Sequence, residues 1–233
     1  MAGVQIGDRH TNEWGLHWID FTITAPQAQT MTIEIPGRDG VLDLTASLGD
    51  RVRFNNRTLE FTFVLHDKDM KKWHNVYSEI SNFCHGKVMD IIPDTDIGYF
   101  WNGRCSCTST KEDGVHSSIV ITVDAAPYKR GVVSTDEEWL WDPFNLDTGV
   151  IQNLGDIAFE NKVTIKAIGY GTTSQIRITC SKEMKVQFLG ITYDLKKGEQ
   201  YLKDIILSEG DNTLVFTCDG SGIVSIGFRE ESL

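Results

Sequence analysis

Several stretches of this sequence carry residue types at spacings that could do chemistry. Cys105-Ser106-Cys107 is the sharpest. On an extended chain, residues two apart share a face, so both thiols point the same way, as half of a zinc site would require. Cys84-His85 is the only nearby supplement by sequence. Zinc needs four ligands, and no second Cys or His pair of matching spacing follows, so the thiols are read as core residues. Asp94-Thr95-Asp96 begins like a calcium loop, but the third oxygen ligand and the closing Glu are out of register, which leaves a turn ahead of Gly98-Tyr99. His66-Asp67 could orient a catalytic base, yet no nucleophile stands on a G-x-S-x-G turn. The Gly-rich run DGSGIVSIG, 219–227, leads into a strand pattern rather than a helix.

A further candidate is IPGRDGVLDLT, 35–45. A phosphate cradle needs glycines feeding a helix N-terminus, usually with a Lys behind them. Here the glycines feed a strand pattern, and the order Arg-Asp-Gly is not that of an Arg-Gly-Asp adhesion address. Pro36, Gly37, Asp39 and Gly40 are therefore assigned to a structural turn, with Pro fixing φ and the glycines supplying positive φ. No pair of carboxylates is singled out for acid–base work, and HExxH is absent. The expectation is a protein that is not an enzyme, with no catalytic residues, cofactor or metal.

The elements around these residues are mostly strands. LHWIDFTIT (16–24) alternates with a change of phase near Asp20, which predicts a bulge or two short strands. MTIEI (31–35) and VLDL (41–44) flank the Pro-Gly turn, and LEFTFVL (59–65) puts Leu59, Phe61, Phe63 and Leu65 on one face. One helix is predicted over 67–86, with Met70, Trp73, Tyr77, Ile80 and Cys84 in one stripe, Asp67 as N-cap and Gly86 as the left-handed terminator. Strands return over 87–92, 98–109 and 115–125. Residues 131–149 break the periodicity with five acidic residues, two Trp and Pro143. Beyond them the spacing predicts strands over 162–167, 175–181, 184–190, 200–207, 212–218 and 223–229, the pattern of an antiparallel sandwich.

Composition narrows the function. The formal net charge is −11: 13 basic against 17 acidic residues up to Arg130, and 9 against 16 after it. Neither half offers the Lys/Arg stripe that counterion-release binding needs, so specific nucleic-acid binding is not expected. No apolar run reaches the roughly 18 residues of a membrane span, so no membrane partner is expected. The start MAGVQIGDRH lacks the basic and apolar regions of a secretion signal, which predicts a cytosolic site of synthesis and, with five sparse cysteines, free thiols.

An ordered set of segments resembles a known family. IPGRDGVLDLT, NRTLEFTFVL, a helix with Trp73 ending in HGK (85–87), DTDIGYFWNGR (94–104) and APYK (126–129) follow one another as in the distal tail proteins of long-tailed, siphovirus-type phages and prophages. WDPFNLDTGV (141–150) is similar to the family in prophages of Gram-positive hosts, and the stretches 151–169 and 207–233 are similar to its galectin-like end domain. The family often has Pro where this chain has Glu160-Asn161.

The resemblance implies a mainly β chain: an N-terminal ring-forming β domain with one α-helix (1–130), an acidic aromatic connector (131–149) and a galectin-like antiparallel β-sandwich (150–233). It implies a homo-hexameric ring, single or stacked, that joins the major tail tube protein to the tail hub protein and the receptor-binding apparatus. The place implied is the virion tail tip, after assembly in the cytoplasm of a bacterial host. The alternative is a carbohydrate-binding module contacting the host envelope. With every Trp at or before Trp141, its aromatic contacts would fall to Tyr170, Tyr193 and Tyr201.

Overall fold

The computed structural model describes residues 2–45, 52–65, 70–111, 117–138, 150–171 and 173–233. The expected N-cap Asp67, the His66-Asp67 pair and the connector from Trp139 to Gly149 lie outside the described residues. The protein is mainly β, with one α-helix and antiparallel sheets. It divides into two compact units: Met1–Asp96 with Trp101–Lys129 and Leu233, and Ile97–Phe100 with Arg130–Ser232.

Unit 1 contains β1 (Val4–Ile6), β2 (Arg9–His10), a 3-10 turn (Thr11–Trp14), β3 (His17–Ile23), β4 (Thr32–Glu34), β5 (Val41–Asp43), β6 (Arg57–Val64), α1 (Met70–Cys84), β7 (Val88–Pro93), most of β8 (Tyr99–Lys111) and β9 (Ser117–Ala125). Its main sheet runs β2-β1-β7-β8-β9-β6-β3. Alternation builds the core directly. Leu59, Phe61 and Phe63 of β6 lie beside Val123, Ile121 and Ile119 of β9 in antiparallel register, and all six are buried. The expected break in β3 is a register shift between Trp18 and Asp20.

Helix α1 buries Trp73, Ile80 and Cys84 in the same core, with Val76, Tyr77 and Phe83 packed against it. It ends as its sequence suggests, at Gly86 with φ +79°. The amide of Gly86 then donates to the carbonyl of Cys105 at 2.7 Å, and the amide of Cys105 donates to the carbonyl of Lys87 at 2.9 Å. That exchange ties the helix exit to β8, whose Cys105 and Cys107 are both buried in the core that Cys84 joins. Burial pushes the Cys84 thiol up to about 12 and that of Cys105 to about 11.

Unit 2 contains the pairing of β10 (Lys129–Gly131) with Tyr99 and Phe100, followed by β11 (Ile157–Gly169), β12 (Ile176–Cys180), β13 (Met184–Phe188), β14 (Ile191–Leu195), β15 (Gly198–Leu202), β16 (Gly210–Gly227) and β17 (Glu231–Ser232), which pairs β10. The sheet order is β14-β13-β16-β12-β15, with β11 along β16. The early part of β16 pairs β13 through Val215–Thr217, and its late part pairs β12 through Val224–Gly227. β11 follows both parts, with a register shift between Glu160 and Lys162. There Asn161 takes φ +59° and accepts a hydrogen bond from the Gly220 amide at 3.0 Å. The sheet thus bends across two shared strands into an antiparallel sandwich, and residues of both parts, Phe216 and Ile226 among them, meet in one core.

Several boundaries differ from the sequence expectation. The strands expected over 212–218 and 223–229 are one continuous strand, which bends over Cys218–Gly220 opposite Asn161 and resumes its ladder with β11 at Ser221. β11 starts at Ile157, ahead of the expected 162. The strand expected over 200–207 ends at Leu202; Ile205 and Leu207 are buried outside any strand.

Modification of the native protein with a thiol reagent is expected to label Cys218 first, since the other four cysteines are buried. Those four should react roughly a hundredfold more slowly or less, because burial hides the sulfur and disfavours the thiolate. All five should react in denaturant. Fast labelling of Cys105 in folded protein would contradict the packing.

Candidate interaction surfaces

Between β3 and β6 the chain makes a two-stranded excursion. Its base is held by the bridge between Ala28 and Phe54, and by the Gln29 amide donating to the Arg53 carbonyl at 2.7 Å. Beyond lies the β4–β5 hairpin, in the register Thr32↔Asp43, Ile33↔Leu42, Glu34↔Val41. Period-two geometry puts Ile33 and Leu42 on one face, with Met31 and Ile35 beside them. Thr32, Glu34 and Asp43 take the other face with Val41. The hairpin is therefore amphipathic, yet its apolar face is open: Met31 is 47% exposed, Ile33 44% and Leu42 38%. On the edge strand β3, Ile19, Phe21 and Ile23 are exposed as well. An isolated two-stranded ribbon is marginal in water, and exposed apolar residues grouped on one face of it, as Met31, Ile33 and Leu42 are, mark a contact surface.

The turn assigned from sequence closes this hairpin. Gly37 and Gly40 adopt φ +81° and +80°, and nothing lies within 4 Å of where a Cβ would stand on either, so backbone conformation is what calls for glycine here. Pro36 and Asp39 are exposed in the same turn.

The three tyrosines differ in setting. Tyr170 packs edge-on against Phe228 at 6.2 Å, and burial pushes its hydroxyl pKa up. Tyr193, on β14, packs against the unit 2 core. Tyr201, on β15, is 57% exposed and lines a cavity with three arginines.

Near that cavity the segment Ser134–Glu137 is sewn to the end of β16. The buried Thr135 hydroxyl donates to the Ile226 carbonyl at 2.8 Å and accepts from the Phe228 amide at 3.1 Å. Asp136 lies over Gly227, where a Cβ would fall 2.6 Å from a carboxylate oxygen. Arg177 Nη2 donates to Asp136 Oδ2 at 2.7 Å, and the Ser134 hydroxyl donates to Oδ1. Burial pushes the Asp136 carboxyl up, but the hydrogen bonds from Ser134 and Arg177 outweigh it and hold the group below the usual Asp range. Sequence reading gave no sign of this cluster, because its members come from separate elements and form no local motif.

Among the described residues, no group of three or more His, Cys, Asp or Glu is placed to hold a metal ion, and no helix is long and apolar enough to cross a membrane. Cys105 and Cys107 do share a face of β8; the His85 ring next to Cys84 accepts the Cys107 amide through Nδ1 at 3.0 Å.

No family model matches this sequence, and no curated protein matches it. Solved structures do. The fold is one seen in a hub protein of phage adsorption apparatus. The particular structure is the SPP1 Dit (gp 19.1) protein, described as a paradigm of the hub adsorption apparatus in phages infecting Gram-positive bacteria. It aligns over 100% of both chains with a TM-score of 0.62 and 14% sequence identity, a likeness of fold.

Replacing Asp136 by Asn should destabilise unit 2 by about 1–3 kcal/mol at pH 7, read by urea unfolding. The folded carboxyl titrates below its unfolded value, so its contribution is present above about pH 4 and is lost as pH falls through the folded value. The gap between wild type and Asp136→Asn should therefore narrow in acid. An unchanged transition at pH 7 would show that the cluster carries no stability.

Proposed function

We propose that this chain is a structural component of a phage tail tip, forming a hexameric ring that joins the tail tube to the tail hub and adsorption apparatus. The observation that carries the self-assembly is the open apolar face of the β4–β5 hairpin, which a neighbouring copy would cover. The full-length fold likeness to SPP1 Dit supports the place in the particle. In this reading residues 1–130 form the ring, 131–149 connect, and the galectin-like 150–233 stands outside it. The partners are other copies of the chain, the major tail tube protein, the tail hub protein and the receptor-binding apparatus. The protein acts at the virion tail tip, after assembly in the bacterial cytoplasm, and has no catalytic duty.

Closed rotational symmetry suits such a surface, because each copy offers its hairpin to one neighbour and receives another from the opposite side. The acidic balance, −11 per chain, suits a ring through which DNA passes without being gripped.

Native mass spectrometry at micromolar protein should show hexamers, single or in stacked pairs, and a DNA mobility-shift assay at moderate salt should show no binding. The double substitution Ile33→Asp with Leu42→Asp should leave the far-ultraviolet circular dichroism of the chain unchanged, since both residues are exposed. It should shift the assembly toward monomer, because burial of each such side chain is worth about 1.5–3 kcal/mol. A strict monomer at every concentration, with no ring on adding the neighbouring tail proteins, would sink the reading.

A further inference from the structure

A cavity of about 270 Å³ opens on unit 2, and three of its lining residues are arginines: Arg130, Arg177 and Arg229. Among the described residues no Asp or Glu lines it. The sheet explains the arrangement. Tyr201, Arg177 and Gly227 are direct cross-strand neighbours on β15, β12 and β16, so a ring, a guanidinium and a bare backbone stand in one row. Gln175 and Arg229 lie two residues along from Arg177 and Gly227, on the same side of the sheet by the period of two.

Two of the acids that pair with the arginines are largely buried. Arg177 is held through one Nη by Asp136, and Arg130 through Nε by Glu231 at 2.9 Å; both carboxylate side chains are only 11% exposed. Arg229 is held by Glu137 at 3.1 Å and by the carbonyls of Gly131 and Val132. A guanidinium has five N–H groups in a fixed fork. The hydrogen bonds of Arg130 and Arg177 among the described residues use one nitrogen each. Their side chains remain 42% and 32% exposed, so donors are left over and are held in position. Glu199 stands 3.8 Å from Arg177 at the outer side.

This constellation is not a sink for a polyanion. Each positive charge has an acid beside it, and the chain as a whole repels negative charge. It is a short-range receptor, in which oriented N–H groups meet one oxyanion, as bidentate guanidinium recognition does. The rest of the lining bears on the carrier of that charge. The Tyr201 ring offers an exposed apolar face, and the Gln175 amide is also exposed. Rings and amides of this sort suit a molecule with both hydroxyls and C–H surface.

We propose that this cavity binds a single oxyanion, a carboxylate or a phosphate, carried on a hydroxylated ring or polyol. Arg130 and Arg177 take the oxyanion, and Tyr201 and Gln175 take the carrier. This goes beyond the role proposed in the tail and does not depend on the ring.

The test is calorimetric titration of the full chain with D-glucuronate and with glycerol 1-phosphate, beside D-glucose, inorganic phosphate and a short Glu-rich peptide. Dissociation constants on the order of 1 mM are expected for the two carriers. Whichever binds tighter identifies the source as a sugar acid or a polyol phosphate. Arg130→Gln should weaken both by about tenfold, and Arg130→Lys by less, because Lys keeps the charge but not the fork. Tyr201→Ala should weaken both carriers several-fold while leaving inorganic phosphate unchanged. Tyr201 is exposed, so that variant is expected to fold even if an Arg130 variant does not. Equal binding of D-glucose, no binding of either carrier up to about 50 mM, or insensitivity to Tyr201→Ala would overturn the proposal. Tighter binding of the peptide would overturn it in favour of an acidic protein partner.

Discussion

Side chains on a strand alternate between two faces, and an apolar face has to leave water. That constraint builds unit 1. In β6 and β9 the alternating residues Leu59, Phe61, Phe63, Ile119, Ile121 and Val123 face a helix-covered core and are fully buried. The same alternation in β4 and β5 is left partly open. Ile33 and Leu42 meet each other across the hairpin and remain exposed. Two patterns that look equivalent as sequence therefore have opposite fates. What separates them is the number of strands and layers that gather around each. The functional reading grows from that difference, because an amphipathic ribbon with an open face is an unfinished core.

Much of the architecture was legible for the same reason. Strand β6, helix α1 with its Gly86 terminator, the bulge in β3 and the shared face of Cys105 and Cys107 all follow from local periodicity and turn chemistry. The misses have physical causes too. β14 was overlooked because its hairpin turns on Leu189-Gly190, with Leu189 at φ +48°, and a leucine there does not signal a two-residue turn as Asn or Gly would. The division of β16 followed from Asp219-Gly220-Ser221-Gly222, which has turn composition. Pairing with β11 resumes at Ser221, directly beyond the bend, so the strand continues. In the β4–β5 hairpin the amphipathic pattern could be read, but its exposure could not. The arginines around Tyr201 were not legible at all, since only the sheet register and the approach of Ser134–Glu137 bring them together.

Glycine has two different jobs in this molecule. Gly37 and Gly40 supply backbone angles in an open turn, whereas Gly227 supplies room for the Asp136 carboxylate. Asp136 in turn fixes the plane of Arg177, which a solvent-exposed ion pair would do poorly because two long side chains would have to be ordered for little gain. The partly buried pair thus positions Arg177 as well as contributing to the stability of unit 2.

The two layers of the unit 2 sandwich share β11 and β16 as continuous strands. Their pairing runs from Gly169 with Gly210 to Ile157 with Val224, through the bend at Asn161. Sliding one layer over the other would strain covalent backbone as well as side-chain packing. Traction along these strands loads their hydrogen bonds in shear, so that many must fail together, while a pull across the strands would open them one after another. The unit is consequently stiff along one direction and weaker along the other.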